Sequence, residues 1–211
     1  MSKNLLVDYI PFEISRETIN ESIKNNDGRL IVKGVLQRAE AKNQNGRVYP
    51  RDTLVREAKK YAETQIKERR ALGELDHPDS SVVNLNNVSH NVLEMHWKGD
   101  DLEGTVEVLG TPAGNILKEL FKSGIKLGIS SRGLGSVKEI SEDKDGEGDT
   151  VQVQPDFELI AFDFVSNPST HGAFLSPQNE GTINEGVGTR KGVCCHDCKV
   201  ENIINDIFRG E

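Results

Sequence analysis

The 211-residue sequence has only three cysteines, and all of them fall in one five-residue word, CCHDC, at Cys194–Cys198. The remainder has no disulfide framework, which points to an intracellular protein. C-x-x-C occurs once, as Cys195 and Cys198. A structural zinc needs a second, separated ligand pair, so neither a metal nor another cofactor is expected. Long apolar runs are missing as well; none approaches the roughly 20 residues of a membrane-spanning helix. The opening MSKNLLVDYIPFE meets Asp8 and Glu13 before a secretory core can develop. Neither a membrane partner nor a leader is expected. An excess of basic residues is absent too: 26 Lys and Arg face 34 Asp and Glu, a net charge of -8. That excludes a general nucleic-acid binder, although RLIVKG, KNQNGRVYPR and KERR leave room for a local basic patch.

What is present divides into a body and two tails. The tetrapeptide TINE occurs twice, at Thr18–Glu21 and Thr182–Glu185. Between the copies, RLIVKGVLQRAEA reads as a strand rich in β-branched residues. Leu54 to about Arg70 carries helical apolar spacing, with Asp52 or Thr53 as cap. The stretch around Val88, Val92 and Met95 reads as strands, and DDLEGTVEVLG is the second arm of a hairpin turning at KGDD. Thr111-Pro112 opens a helix that Gly124 closes. IKLGISSRGLGSVKEI and VQVQPDFELIAFDFVSNPS add further strands, separated by the acidic loop SEDKDGEGD. At least six strands and two helices without regular βαβ alternation predict an α+β fold built on an antiparallel sheet. Residues 1–21 and 186–211 read as tails. VENIINDIFRGE, with Ile203, Ile204, Ile207 and Phe208, is either a docking helix or an idle end.

Three words carry chemistry. In GISSRGLG, glycines flank two adjacent serines, a place where the backbone can present a hydroxyl and aim N–H groups at an oxyanion. Ser130 and Ser131 face opposite sides of a strand, so one of them can enter a given site. In GELDHP, His77 offers an imidazole suited to general-base work; His90 and His96 compete, and their even separation places them on one strand face. Asp163 sits in the apolar stretch LIAFDFVSNPS, where a carboxylate is costly unless paired; Glu94 is the reserve acid. A small-molecule serine hydrolase is disfavoured, because the nucleophile-elbow word G-x-S-x-G is absent around Ser130.

In the order ALGELDHP, W-K-G, GISSRGLG and FDFVSNPS, these words resemble the prohead core proteases of T-even-like tailed bacteriophages. Those are serine maturation proteases distantly similar to herpesvirus assemblin. The resemblance runs from about Gly34 to Phe174. It implies a β-barrel or curved antiparallel sheet with two or more peripheral helices. It also implies a Ser130, His77 and Asp163 triad, and cleavage after glutamate in Leu/Ile-x-Glu sites. The partners implied are phage scaffold (core) proteins and the major capsid protein precursor, met inside the prohead in the host cytoplasm, with the enzyme a homo-oligomeric zymogen. Backbone and side-chain groups of Ser131, Arg132 and Gly133 are the expected oxyanion and substrate contacts, with Arg132, Lys126 or Arg47 meeting the substrate glutamate. Both TINE words fit the cleavage pattern, so self-cleavage is expected after Glu21 and Glu185, leaving 22–185 as the protease domain. Ile140-Ser141-Glu142 is a competing site. The alternative function is a non-catalytic capsid or scaffold interaction protein on the same fold.

Overall fold

The computed structural model describes residues 3–76, 78, 80–141 and 150–166. The chain divides into two compact units, residues 1–177 and 178–211, and every described residue belongs to the first. The loop 142–149, the Glu185 site, the CCHDC word and the 201–211 segment lie outside the described residues.

Local sequence sets the elements in turn. β1 (Asn4–Phe12) is followed by α1 (Arg16–Asn25), which Ser15 caps by accepting a hydrogen bond from the Thr18 N–H. Asp27 and Gly28, both at positive φ, turn the chain into β2 (Leu30–Arg38). A short β3 (Arg47–Val48) precedes α2 (Arg51–Tyr61), which continues as a wider π turn through Ile66. Neither Asp52 nor Thr53 caps α2; the helix starts at Arg51 behind Pro50, whose fixed φ leads the chain in, and Thr53 is buried. β4 (Leu72–Glu74), β5 (Val88–Lys98) and β6 (Asp101–Val108) follow, the last two joined at Gly99, which has φ +60. α3 (Pro112–Lys122) begins as expected: Thr111 Oγ1 accepts from the Gly114 N–H, and proline stands at the first helical position. β7 (Leu127–Gly135), β8 (Val137–Ser141), β9 (Thr150–Val153) and β10 (Glu158–Val165) complete the unit.

The strands form three ladders, in the orders β1-β7-β10, β2-β6-β5-β4 and β3-β9-β8. All pairs are antiparallel except β3 with β9. The α+β expectation therefore holds; of the expected barrel or curved sheet, no closed barrel is found among the described residues. The first two sheets meet at one parallel bridge, Leu75 to Phe164. Their inner faces bury Phe12, Ile129, Phe162 and Phe164 against Leu36, Val92 and Val106. Ile19 of α1, Tyr61 of α2 and Leu117 and Phe121 of α3 complete this core. Apolar burial on both faces is the main stabilising term here.

The N-terminal 21 residues are not a tail, which corrects that expectation. β1 pairs along its whole length with β7, from Asn4 opposite Gly135 to Phe12 opposite Leu127. Asp8, buried in β1, accepts from Asn45 Nδ2 at 2.7 Å, Arg47 Nη1 at 2.9 Å and the Tyr49 hydroxyl. Burial and the Asp8 charge push the Tyr49 hydroxyl pKa well up, keeping it a donor. Glu21 lies within α1, and Ser22 Oγ clamps Ile31 through both its N–H and its carbonyl. The boundary between residues 21 and 22 is thus inside packed structure. Charged residues in NLLVDYIPFE and RETINES disguised a strand and a helix.

Candidate active site

β7 is the middle strand of its sheet, and its register places the two serines. Ser130 stands directly opposite Tyr9 on one side and Asp163 on the other. Cross-strand partners share a face, so Tyr9, Ser130 and Asp163 form a row on the face turned away from the core. Arg132, two residues on, falls on the same face. Ser131 points the opposite way, and its hydroxyl takes a 2.6 Å bond from Gln37 Nε2. Ser130 Oγ is buried and has no hydrogen-bond partner among the described residues.

Gly128 belongs to the same row. A Cβ there would come within 1.5 Å of the Tyr9 ring. The glycine therefore lets that ring lie flat against β7 beside Ser130.

Arg132 is fully buried and is the hub of the site. Its Nε donates to Asp163 Oδ2 at 2.8 Å and its Nη2 to Asp163 Oδ1 at 3.1 Å, a bidentate pair. Nη2 also donates to Glu74 Oε1 at 3.0 Å, and Nη1 to the Ser80 carbonyl at 2.7 Å. Asp163 Oδ1 accepts the Glu74 N–H at 3.0 Å. Burial pushes the Asp163 carboxyl upward, and the Arg132 contacts pull it back. Glu74 Oε1 takes a further bond from the Asn84 N–H, whereas Glu74 Oε2 is buried with no partner among the described residues. Two carboxyl groups face one guanidinium.

Several expected site residues are placed differently. Arg132 has no exposed surface. Ser131 points inward, and a Cβ on Gly133 would strike the Phe157 ring at 2.4 Å, so both positions serve packing. Because β1 and β10 flank β7 on both sides, the peptides of Ser131 to Gly133 lie within ladders rather than at an open cleft. Arg47 is paired with buried Asp8 at 2.9 Å. Lys126 keeps an exposed ammonium, 3.1 Å from exposed Glu13.

The competing histidines and the reserve acid have other roles. His90 is buried between Ser89 Oγ at Nδ1 and the Phe162 carbonyl at Nε2. A carbonyl only accepts, so Nε2 carries the proton and Nδ1 accepts from Ser89. Burial lowers the His90 pKa to about 4, which keeps it neutral. His96 is exposed beside Glu103. The two do not share a face, because a bulge at Leu93 inserts one residue between them. Glu94 is exposed and bonded to Thr105 and Lys33, so it is no buried acid. Among the described residues no three potential metal ligands gather, and no helix is long and apolar enough to cross a membrane.

His77 lies outside the described residues. Its flanks do not: the Asp76 N–H donates to the Phe164 carbonyl at 2.7 Å, and the Ser80 carbonyl is held by Arg132. Asp76 adopts φ +66, a left-handed turn conformation. Asp76 and Ser80 are thereby fixed to the strands that carry Asp163 and Ser130.

Comparison with known proteins adds the decisive observation. The family described as prohead core protein serine protease matches residues 7–185. This chain belongs to the prohead core protein serine protease family. It is 31% identical over 176 residues to the prohead core protein protease of Enterobacteria phage T4, covering 82% of this chain and 79% of that one. The solved structure of the bacteriophage T4 capsid assembly protease superposes with a TM-score of 0.65 at 25% identity, covering 79% of this chain and 99% of the other. The match from residue 7 takes in most of β1, so the prohead protease fold includes the strand that the sequence had presented as a tail. The residue missed by sequence reasoning is Glu74. It stood inside GELDHP, three positions before His77, but an acid in a charged word carries no sign of burial until β4 is seen to end against β10.

Proposed function

We propose that this prohead protease is a serine endopeptidase of phage capsid maturation in which Ser130 is the nucleophile, His77 the general base and Asp163 the acid that secures the site. The observation that carries the reading is the Ser130 hydroxyl, buried and without a hydrogen-bond partner among the described residues, on the central strand beside the Arg132, Asp163 and Glu74 cluster. A buried hydroxyl without a partner costs stability, and sites that retain one use it. Ser130 attacks the scissile carbonyl, the imidazole takes the hydroxyl proton and later gives it to the leaving amine. Asp163 acts by holding Arg132, since both of its oxygens are engaged there. The substrates are scaffold (core) proteins and the capsid precursor, cut after glutamate within the prohead, by an enzyme that assembles with copies of itself.

Self-processing is proposed after Glu185. Cleavage after Glu21 requires α1 to open first, because a protease draws its substrate out as an extended strand and the Glu21–Ser22 peptide sits in a helix. Incubating purified wild type and Ser130→Ala at equal concentration, with intact-mass measurement, tests the assignment. Wild type should yield new C-termini at glutamate, and Ser130→Ala should stay full length. Identical fragments from both chains would reject Ser130, and an uncut wild-type chain incubated with scaffold protein would favour a non-catalytic interaction protein.

A further inference from the structure

A cleft of about 610 Å³ lies between residues 9–13, the second half of β2 and residues 41–44. β1 and β2 each stand last in their ladders, so among the described residues no strand pairs with the outer edge of either. The Val7 carbonyl accepts from Asn45 Nδ2 at 2.9 Å and from Arg47 Nη1 at 3.1 Å, so it faces away from β7. Main-chain groups of every second residue in a strand share a direction, which turns the N–H and carbonyl of Tyr9 outward as well. Pro11, next in that series, has no N–H to expose, as suits an edge. On β2 the Ile31 N–H and carbonyl both meet Ser22 Oγ, away from β6. Val35, four residues on and before the bulge at Leu36, presents its main chain on that same side. Tyr9 and Val35 both line the cleft. Asn43 lines it too. Its Oδ1 is held by the N–H groups of Asn45 and Arg47, and its Nδ2 is buried without a partner among the described residues. A buried donor without an acceptor costs stability.

We propose that this cleft is a docking site for an extended stretch of polypeptide substrate, which joins β1 as an added strand. The groups on offer define the ligand. An outward N–H and carbonyl at Tyr9, with the Asn43 amide donor on the same wall, match the main chain of a peptide rather than any one side chain. The cleft borders the nucleophile strand at two points: Tyr9 stands opposite Ser130, and Gln37 on the β2 wall bonds Ser131. The site rests on the reading of the chain as an endopeptidase, which makes a polypeptide its ligand. Pro11 leaves Tyr9 as the one residue of this length of edge that offers both a donor and an acceptor. The pairing is therefore short, enough for one peptide segment and too little for a sheet shared by two copies.

Amide hydrogen exchange followed by NMR on the full-length Ser130→Ala chain, with and without the synthetic peptide EGTINEGVG (the sequence of residues 180–188), tests this without turnover. Saturating peptide should slow exchange at Tyr9 about tenfold or more. N-methylation of the peptide at successive residues should weaken binding at every second position, because only alternate N–H groups face β1. Asn43→Asp, which keeps the Oδ1 acceptor and removes the donor, should weaken binding about tenfold. No binding at millimolar peptide, or binding that leaves Tyr9 exchange unchanged, overturns the proposal. So does equal sensitivity to N-methylation at every position. Protection of Tyr9 that grows with protein concentration in the absence of peptide overturns it as well, by giving the cleft to a second copy. Should Asn43→Asp not fold, the exchange and the N-methyl series decide. Fragments released from the peptide by Ser130→Ala reject the nucleophile assignment and leave the Tyr9 readout standing, so the two failures are told apart.

Discussion

His90 shows how a residue with catalytic chemistry becomes a core residue. Both ring nitrogens are satisfied inside the fold, and its pKa is lowered from 6.5 to about 4. Between those values the unfolded chain binds a proton that the folded chain refuses, so stability rises with pH there. The contribution is complete above about pH 6.5 and is lost as pH falls toward 4, by about 3 kcal/mol in all. His90→Gln keeps a donor for the Phe162 carbonyl but does not titrate. Thermal melting of that variant between pH 6.5 and 4 should show a flatter decline than wild type. At this scale the sequence was informative about type and silent about partners. Asp163 in an apolar run was recognisable as a paired acid, and it is paired. That Arg132 is its partner required β7 and β10 to lie side by side, a fact of register that no local pattern encodes.

Strands and helices with strong local signals formed where expected, namely β2, the β5–β6 hairpin and α3. Their alternation, turn glycines and caps act over a few residues. β1 gave no such signal, because its partner is β7, far along the chain. The close approach between these two strands makes a prediction of its own. Gly128→Ala places a methyl group 1.5 Å from the Tyr9 ring position, so the ring must swing out and disturb the neighbourhood of Ser130. Overpacking of this kind costs about 1–3 kcal/mol, and proteolysis should fall with it. Tyr9→Ala removes the clash, so the double variant should recover most of the stability lost by Gly128→Ala. Urea unfolding of the two single variants and the double variant closes the cycle. Simple additivity would mean that the ring does not rest on Gly128.

For the whole molecule, the predicted boundary after residue 21 separates two parts of one core. Phe12 and Ile19 are both buried with Ile129 and Phe164. Deleting residues 1–21 removes an edge strand, the first six residues of α1 and the buried side chains of Leu6, Val7, Phe12 and Ile19. Such a chain should lose its cooperative thermal transition by circular dichroism, whereas removal of residues 186–211 should leave the transition of the first unit intact. A truncated N-terminus with wild-type melting would show that β1 and α1 are dispensable. The architecture was legible as far as its class, because composition and periodicity count strands and helices. Closure was not legible: whether two sheets join edge to edge depends on single contacts such as Leu75 with Phe164, which leave no periodic trace.

The pairing of Tyr9 with Ser130 also has a temporal side. The first strand to leave the ribosome must wait for the seventh, which at typical rates means roughly ten seconds of further synthesis. Until then the nascent chain lacks the strand that carries Ser130. The edge strand and the strand that carries Ser130 can therefore join only late in the making of the chain.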